Sequence, residues 1–113
     1  MLGPFLLKYH HMFINSNSAG AFILSRNGRS ADYVGASAED LIGTLGRFTR
    51  QSDYRYFWFV EAHPAEAAAQ IEQTCLHRYR PSDNPSRSSA PRGTRWRCTI
   101  EGCPTCALAG ALR

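Results

Sequence analysis

Three cysteines crowd the end of this 113-residue chain: Cys98, Cys103 and Cys106, the last two in a Cys-x₂-Cys pair. Thiolates at that spacing suit zinc, a tetrahedral ion that takes four ligands, usually Cys or His. The fourth ligand would come from elsewhere: Cys75 or His77, or one of His10, His11 and His63. Without a metal the cluster is a set of reduced thiols. Just ahead of it Arg78, Arg80, Arg87, Arg92, Arg95 and Arg97 follow one another, with Trp96 among the last of them. Guanidinium forks match phosphate geometry and an indole stacks on bases, so this run is what contact with nucleic acid would use. A solvated basic arm would look the same.

The whole chain carries the same bias. Net charge is +4 and the isoelectric point is near 9.1, and nearly all of the positive charge is arginine, since Lys8 is the sole lysine. Hydrophobic content of 43% and charged content of 19% are ordinary for a globular domain, and the length suits one modest core. No apolar run approaches the ~20 residues of a membrane helix, so no membrane partner is expected. The apolar start, Met1-Leu2-Gly3-Pro4-Phe5-Leu6-Leu7, has no basic segment ahead of it and carries a proline, which makes it a poor signal peptide. A cytoplasmic location follows.

The elements that would position these groups can be read from the patterning. Residues 19–25 and 31–36 read as strands around the turn Arg26-Asn27-Gly28-Arg29, and Asn-Gly between β-prone runs is a strong hairpin signal. A helix is expected over 38–50, with Ser37 as its N-cap and Leu41, Ile42, Leu45 and Phe48 on one face. Gly43 and Gly46 weaken it by roughly 1 kcal/mol each relative to alanine. Residues 54–60, rich in aromatics, read as a central strand buried on both faces. Pro64 opens a second helix over 65–79, with Ala68, Ile71, Cys75 and Leu76 as its apolar face and Pro81 as its stop. The fold expected is therefore α+β: a small three-stranded, mainly antiparallel sheet flanked by helices, with an Arg/Ser/Pro-rich arm and a Cys-containing tail. Residues 1–18 read as an N-terminal extension, 19–85 as the domain, and 86–113 as the basic arm and tail.

Gly20-Ala21-Phe22 on the first strand and Tyr33-Val34-Gly35 on the second, followed by a helix, an aromatic strand and a helix bearing an acid, resemble the GIY-YIG nuclease domain. The resemblance covers about residues 19–85. It implies phosphodiester hydrolysis of nucleic acid, DNA being the expected partner, around one Mg²⁺ or Mn²⁺ ion that acts as Lewis acid and template. On this likeness Tyr33 keeps the second signature hydroxyl, and Gly20 and Gly35 are the signature glycines. Glu72 becomes the metal ligand, a carboxylate as a hard cation requires. Asn84 supports the site through hydrogen bonds. The chain departs from the pattern at three positions. Phe22 stands where the first signature tyrosine would be, Thr44 where an arginine is expected, and Phe48 where a polar residue, often histidine, would follow. Each lost electrostatic donor of this kind costs about 10²–10³ in rate. Arg47, on roughly the same helical face as Thr44, could take over from the missing arginine. Three functions follow as expectations: a GIY-YIG-like nucleic-acid-binding domain with weak or lost cleavage, an active endonuclease using Tyr33, Glu72 and Arg47, or a zinc-stabilised interaction module.

Overall fold

The computed structural model describes residues 1–14, 19–62 and 64–84. Among these residues one four-stranded antiparallel sheet forms the middle layer. Its strands are β1 (Leu2–Leu6), β2 (Gly20–Ser25), β3 (Tyr33–Ser37) and β4 (Tyr56–Glu61), in the spatial order β1-β4-β2-β3. The helices are α1 (His10–Phe13), preceded by a 3₁₀ turn over Leu7–Tyr9, then α2 (Leu41–Gln51) and α3 (Ala65–Tyr79).

The expected three strands are thus four, and the segment read as an extension contributes the additional one. β1 pairs antiparallel with β4, with Phe5 opposite Phe57 and Leu6 opposite Tyr56. Its proline is tolerated because β1 is an edge strand, where a missing N–H breaks no inner ladder. The strand is held by its apolar residues. The Phe5 ring stacks on Phe13 at 4.2 Å and lies 5.9 Å from Phe57, and Leu7 behind it is fully buried.

Both inner strands carry the core. β4 lies between β1 and β2, as its aromatic run implied, but its burial alternates: Phe57 and Phe59 are buried, while Tyr56, Trp58 and Val60 are only partly covered. The strand buried at every position is β2. Phe22 and Leu24 join Leu7, Ile14, Leu41, Leu45, Phe57 and Phe59 in the larger cluster, on the face that α2 covers. Ile23, one residue over and therefore on the opposite face, packs with Val34 and Cys75 under α3.

The β2–β3 turn does more than reverse the chain. Asn27 Oδ1 accepts from the backbone N–H groups of Arg29 (2.8 Å) and Ser30 (3.0 Å), and Gly28 takes φ +73°. The loop is longer than a two-residue hairpin because Asp32 N–H already bonds Leu24 O and the Asp32 carboxylate accepts Arg26 N–H at 2.8 Å. α2 starts later than expected. Ser37 is still in β3, opposite Gly20, so Asp40 takes the N-cap and accepts from Gly43 N–H at 2.9 Å. α3 keeps the expected span. It ends where Arg80 adopts a left-handed conformation (φ +46°) ahead of Pro81. Among the described residues no helix is long and apolar enough to cross a membrane.

Candidate nucleic-acid cleft

A cavity of about 420 Å³ opens beside β3, lined by residues of β2, β3, α2 and α3 together with Ser52. Tyr33, Gly35 and Ala36 come from β3, and Phe22 from β2. α2 presents Thr44, Arg47, Phe48 and Gln51, and α3 presents Glu72. The α2 residues recur at i, i+3, i+4 and i+7, one stripe of a helix.

The floor is aromatic. Phe22 lies edge-on to Phe48 at 5.7 Å, Phe48 is 5.2 Å from Tyr33, and Tyr54 closes the group at 6.2 Å from both. Close approach at the floor depends on Gly35. A Cβ there would stand 2.6 Å from Phe22 Cζ and 3.0 Å from Tyr33 Cε1. Gly20 is constrained in a different way, since its Cβ would meet the Val60 carbonyl oxygen at 2.6 Å. Asn84 stands behind the cleft and does not line it. Its Oδ1 accepts from Val34 N–H at 2.7 Å and its Nδ2 donates to Val34 O at 2.8 Å, so it completes the outer edge of β3 beside Tyr33.

Two opposite charges reach the cavity. Arg47 is exposed, and its Nη2 donates a long 3.4 Å hydrogen bond to Thr44 Oγ1, which in turn donates to Ser37 Oγ at 3.3 Å. The guanidinium is thereby drawn back one turn, over the position where an arginine was expected. Glu72 is half-buried, and burial pushes its carboxyl above the usual range. Burial first, and then the charge of Glu72, push the Tyr33 phenol up, so it remains a hydrogen-bond donor at neutral pH.

Among the described residues no group of three or more His, Cys, Asp or Glu side chains could hold a metal ion. Glu72 alone fits the looser case of Mg²⁺, which keeps several waters and is held through one or two carboxylates plus phosphate oxygens. Of the candidate zinc ligands, Cys98, Cys103 and Cys106 lie outside the described residues. Cys75 is a free thiol buried against Ile23 and Val34, and burial pushes its pKa up, which disfavours the thiolate that zinc needs. His77 is buried too, and burial holds it neutral.

The basic run divides. Arg78 lines a separate cavity on the other side of the sheet, Arg80 is exposed at the end of α3, and Arg87, Arg92, Arg95, Arg97 and Trp96 lie outside the described residues. Sequence reading did not pick out Gln51 and Ser52 for the cleft. Helical spacing from Thr44 and Phe48 was the signal that could have found them.

A second cluster braces the cleft from below. Arg26 donates from Nε to Asp53 (2.9 Å) and pairs through Nη2 with Asp83 (2.9 Å), while its guanidinium lies 4.6 Å over the Tyr54 ring. The Tyr54 hydroxyl donates to Asp83. Arg26 holds both carboxyls below the usual carboxylate range, although for Asp83 the Tyr54 hydrogen bond is the larger cause. The hairpin, the α2–β4 connection and the end of α3 are tied together here. Comparisons with protein-family models, curated proteins and solved structures give no match for this chain.

Proposed function

We propose that this chain is a GIY-YIG-like domain that binds nucleic acid, is related to metal-dependent endonucleases, and cleaves slowly or not at all. The observation that carries the reading is the convergence of Tyr33, Arg47 and Glu72 on one cavity, with Phe22 and Gly35 of the two tripeptides in its wall. The arginine-rich charge supports an anionic partner. In this reading Arg47 holds a phosphate oxygen and Tyr33 donates a hydrogen bond to the phosphate or to the attacking water. Glu72 would hold Mg²⁺ or Mn²⁺, which when bound polarises the phosphoryl oxygen. Asn84 positions β3, and Arg78 and Arg80 add charge that attracts the strand. The setting in this proposal is the cytoplasm.

Slow cleavage follows from the wall itself. Phe22 brings no hydroxyl, Thr44 no charge and Phe48 no polar atom to the cavity. Supercoiled plasmid with Mg²⁺ or Mn²⁺, beside a Glu72→Ala control, tests the reading. Expected is binding that weakens sharply between about 50 and 200 mM salt, with little or no nicking, and any nicking lost in the control. Plasmid that is never retained at low salt would overturn it.

The reach of Arg47 to Thr44 favours a second reading, a working endonuclease with a relocated arginine. Arg47→Ala would then lower nicking by about 10²–10³-fold. If Thr44→Arg raised cleavage strongly while Arg47→Ala left it unchanged, the relocation would be excluded.

A further inference from the structure

On the opposite side of the sheet, α3 and the hairpin loop enclose a second cavity of about 510 Å³. Ile23 and Trp58 come from the sheet, Ile71 and Cys75 from α3, and all four belong to the smaller core cluster or pack against it. Trp58 is half-buried and lines this cavity. Because Phe22 and Ile23 are neighbours on β2, they face opposite sides of the sheet, so this cavity is distinct from the cleft beside Tyr33.

Its charges are all of one sign. Arg29 reaches it from the hairpin loop, where Asn27 Oδ1 holds the Arg29 backbone N–H at 2.8 Å, and Arg78 reaches it from the last turn of α3. No carboxylate lines the cavity. Among the described residues the ion pairs are those of Arg26, so neither Arg29 nor Arg78 is neutralised by an acid. Arg78 lies 5.9 Å over the ring of Tyr79, which also lines the cavity. A flat indole in an apolar floor, with two guanidinium groups on its walls that no carboxylate neutralises, complements a flat apolar body carrying a phosphate. Indole stacks on any base, and guanidinium forks grip phosphate bidentately. The volume lies in the range of pockets that take small ligands.

We propose that this cavity takes one unpaired nucleotide of a nucleic-acid strand, its base against Trp58 and its phosphate between Arg29 and Arg78. The proposal rests on the nucleic-acid reading above and adds a single-strand site on the face away from the cleft. A strand so held would leave the duplex on one face of the sheet and enter a second grip on the other.

The test is a titration of the full chain, ¹⁵N-labelled and carrying Trp96→Phe, with a 5′-phosphorylated thymidine trinucleotide. The expected result is a shift of the Trp58 indole N–H signal. In Arg29→Ala/Arg78→Ala, two exposed substitutions, affinity should fall about tenfold or more and the shift should go with it. A trinucleotide that moves signals of Tyr33 and Arg47 but leaves Trp58 still would overturn this site while the cleft reading stands. A Trp58 shift that survives the double variant unchanged would also overturn it, as would no binding of the trinucleotide at all. Decanoate serves as the aliphatic anion control. If it moves Trp58 and the trinucleotide does not, the occupant is an acyl chain and the proposal fails. Loss of plasmid binding with the Trp58 shift intact would instead count against the cleft alone.

Discussion

Glu72 is the residue at which stability and the proposed chemistry oppose each other. Its carboxyl is half-buried and its pKa is raised by that burial, so the folded protein favours the protonated form. The stabilising contribution is present below the ordinary glutamate value, near 4.3, and is lost as pH rises through the folded value. Glu72→Gln, which carries no charge, is therefore expected to melt at a higher temperature than the parent at pH 7. The two melting curves should converge below about pH 4. A variant less stable than the parent at pH 7 would mean that the carboxylate has a stabilising partner in the fold. Gly35 sets the other limit at this scale. With Phe22 Cζ 2.6 Å from where its Cβ would be, Gly35→Ala must displace a ring that is 1% exposed. The expected cost is about 1–3 kcal/mol in denaturant melts, with the cleft distorted at the same time. Both glycine-aromatic tripeptides were visible in the chain, but the reason for the glycines was not. Gly35 meets a ring on the neighbouring strand and Gly20 a carbonyl on β4, and only strand register brings those atoms near.

At the scale of elements, the helices were the most legible part. α3 spans the residues its periodicity marked, because alanine-rich propensity, Pro64 at the start and Pro81 beyond the end all agree. α2 begins late because β3 keeps Ser37 for its ladder; the Ser37 hydroxyl still accepts Asp40 N–H at 3.0 Å, but that bond closes a turn ahead of the helix and Asp40 caps it. β1 was missed for a related reason. Met1-Leu2-Gly3-Pro4-Phe5 shows no clean alternation, and its pairing with β4 depends on contacts far along the chain. Leu7, 1% exposed, is the anchor just behind it. Leu7→Ala is expected to destabilise the whole domain by about 2–5 kcal/mol, read as one cooperative transition shifted in denaturant. A shift confined to the first residues in hydrogen exchange, with the global midpoint unchanged, would show that β1 and the turn after it are an appendage.

At the scale of the whole molecule, Arg26 joins three separate parts of the chain through Asp53, Asp83 and the Tyr54 ring. Both carboxyls titrate below their usual range, so the stability they contribute is present above about pH 4 and is lost as pH falls through their folded values. Arg26→Ala should flatten the acid limb of the stability profile below about pH 4. Because the network is exposed, added salt should shrink the difference between variant and parent. An acid limb of unchanged steepness would mean that other carboxyls dominate it.

The sequence by itself determined the α+β class, the hairpin around Asn27-Gly28, the two long helices and the residue types gathered near the cleft, because local propensity and periodicity act within a few turns or strands. What the tertiary structure decided is which of those residues meet. Tyr33, Arg47 and Glu72 share a cavity because β3, α2 and α3 pack around one sheet edge. Arg29, Trp58 and Arg78 share another because the β2–β3 loop, β4 and α3 come together on the opposite face of the sheet. Neither meeting is written in spacing along the chain, since each depends on pairings between segments far apart in it.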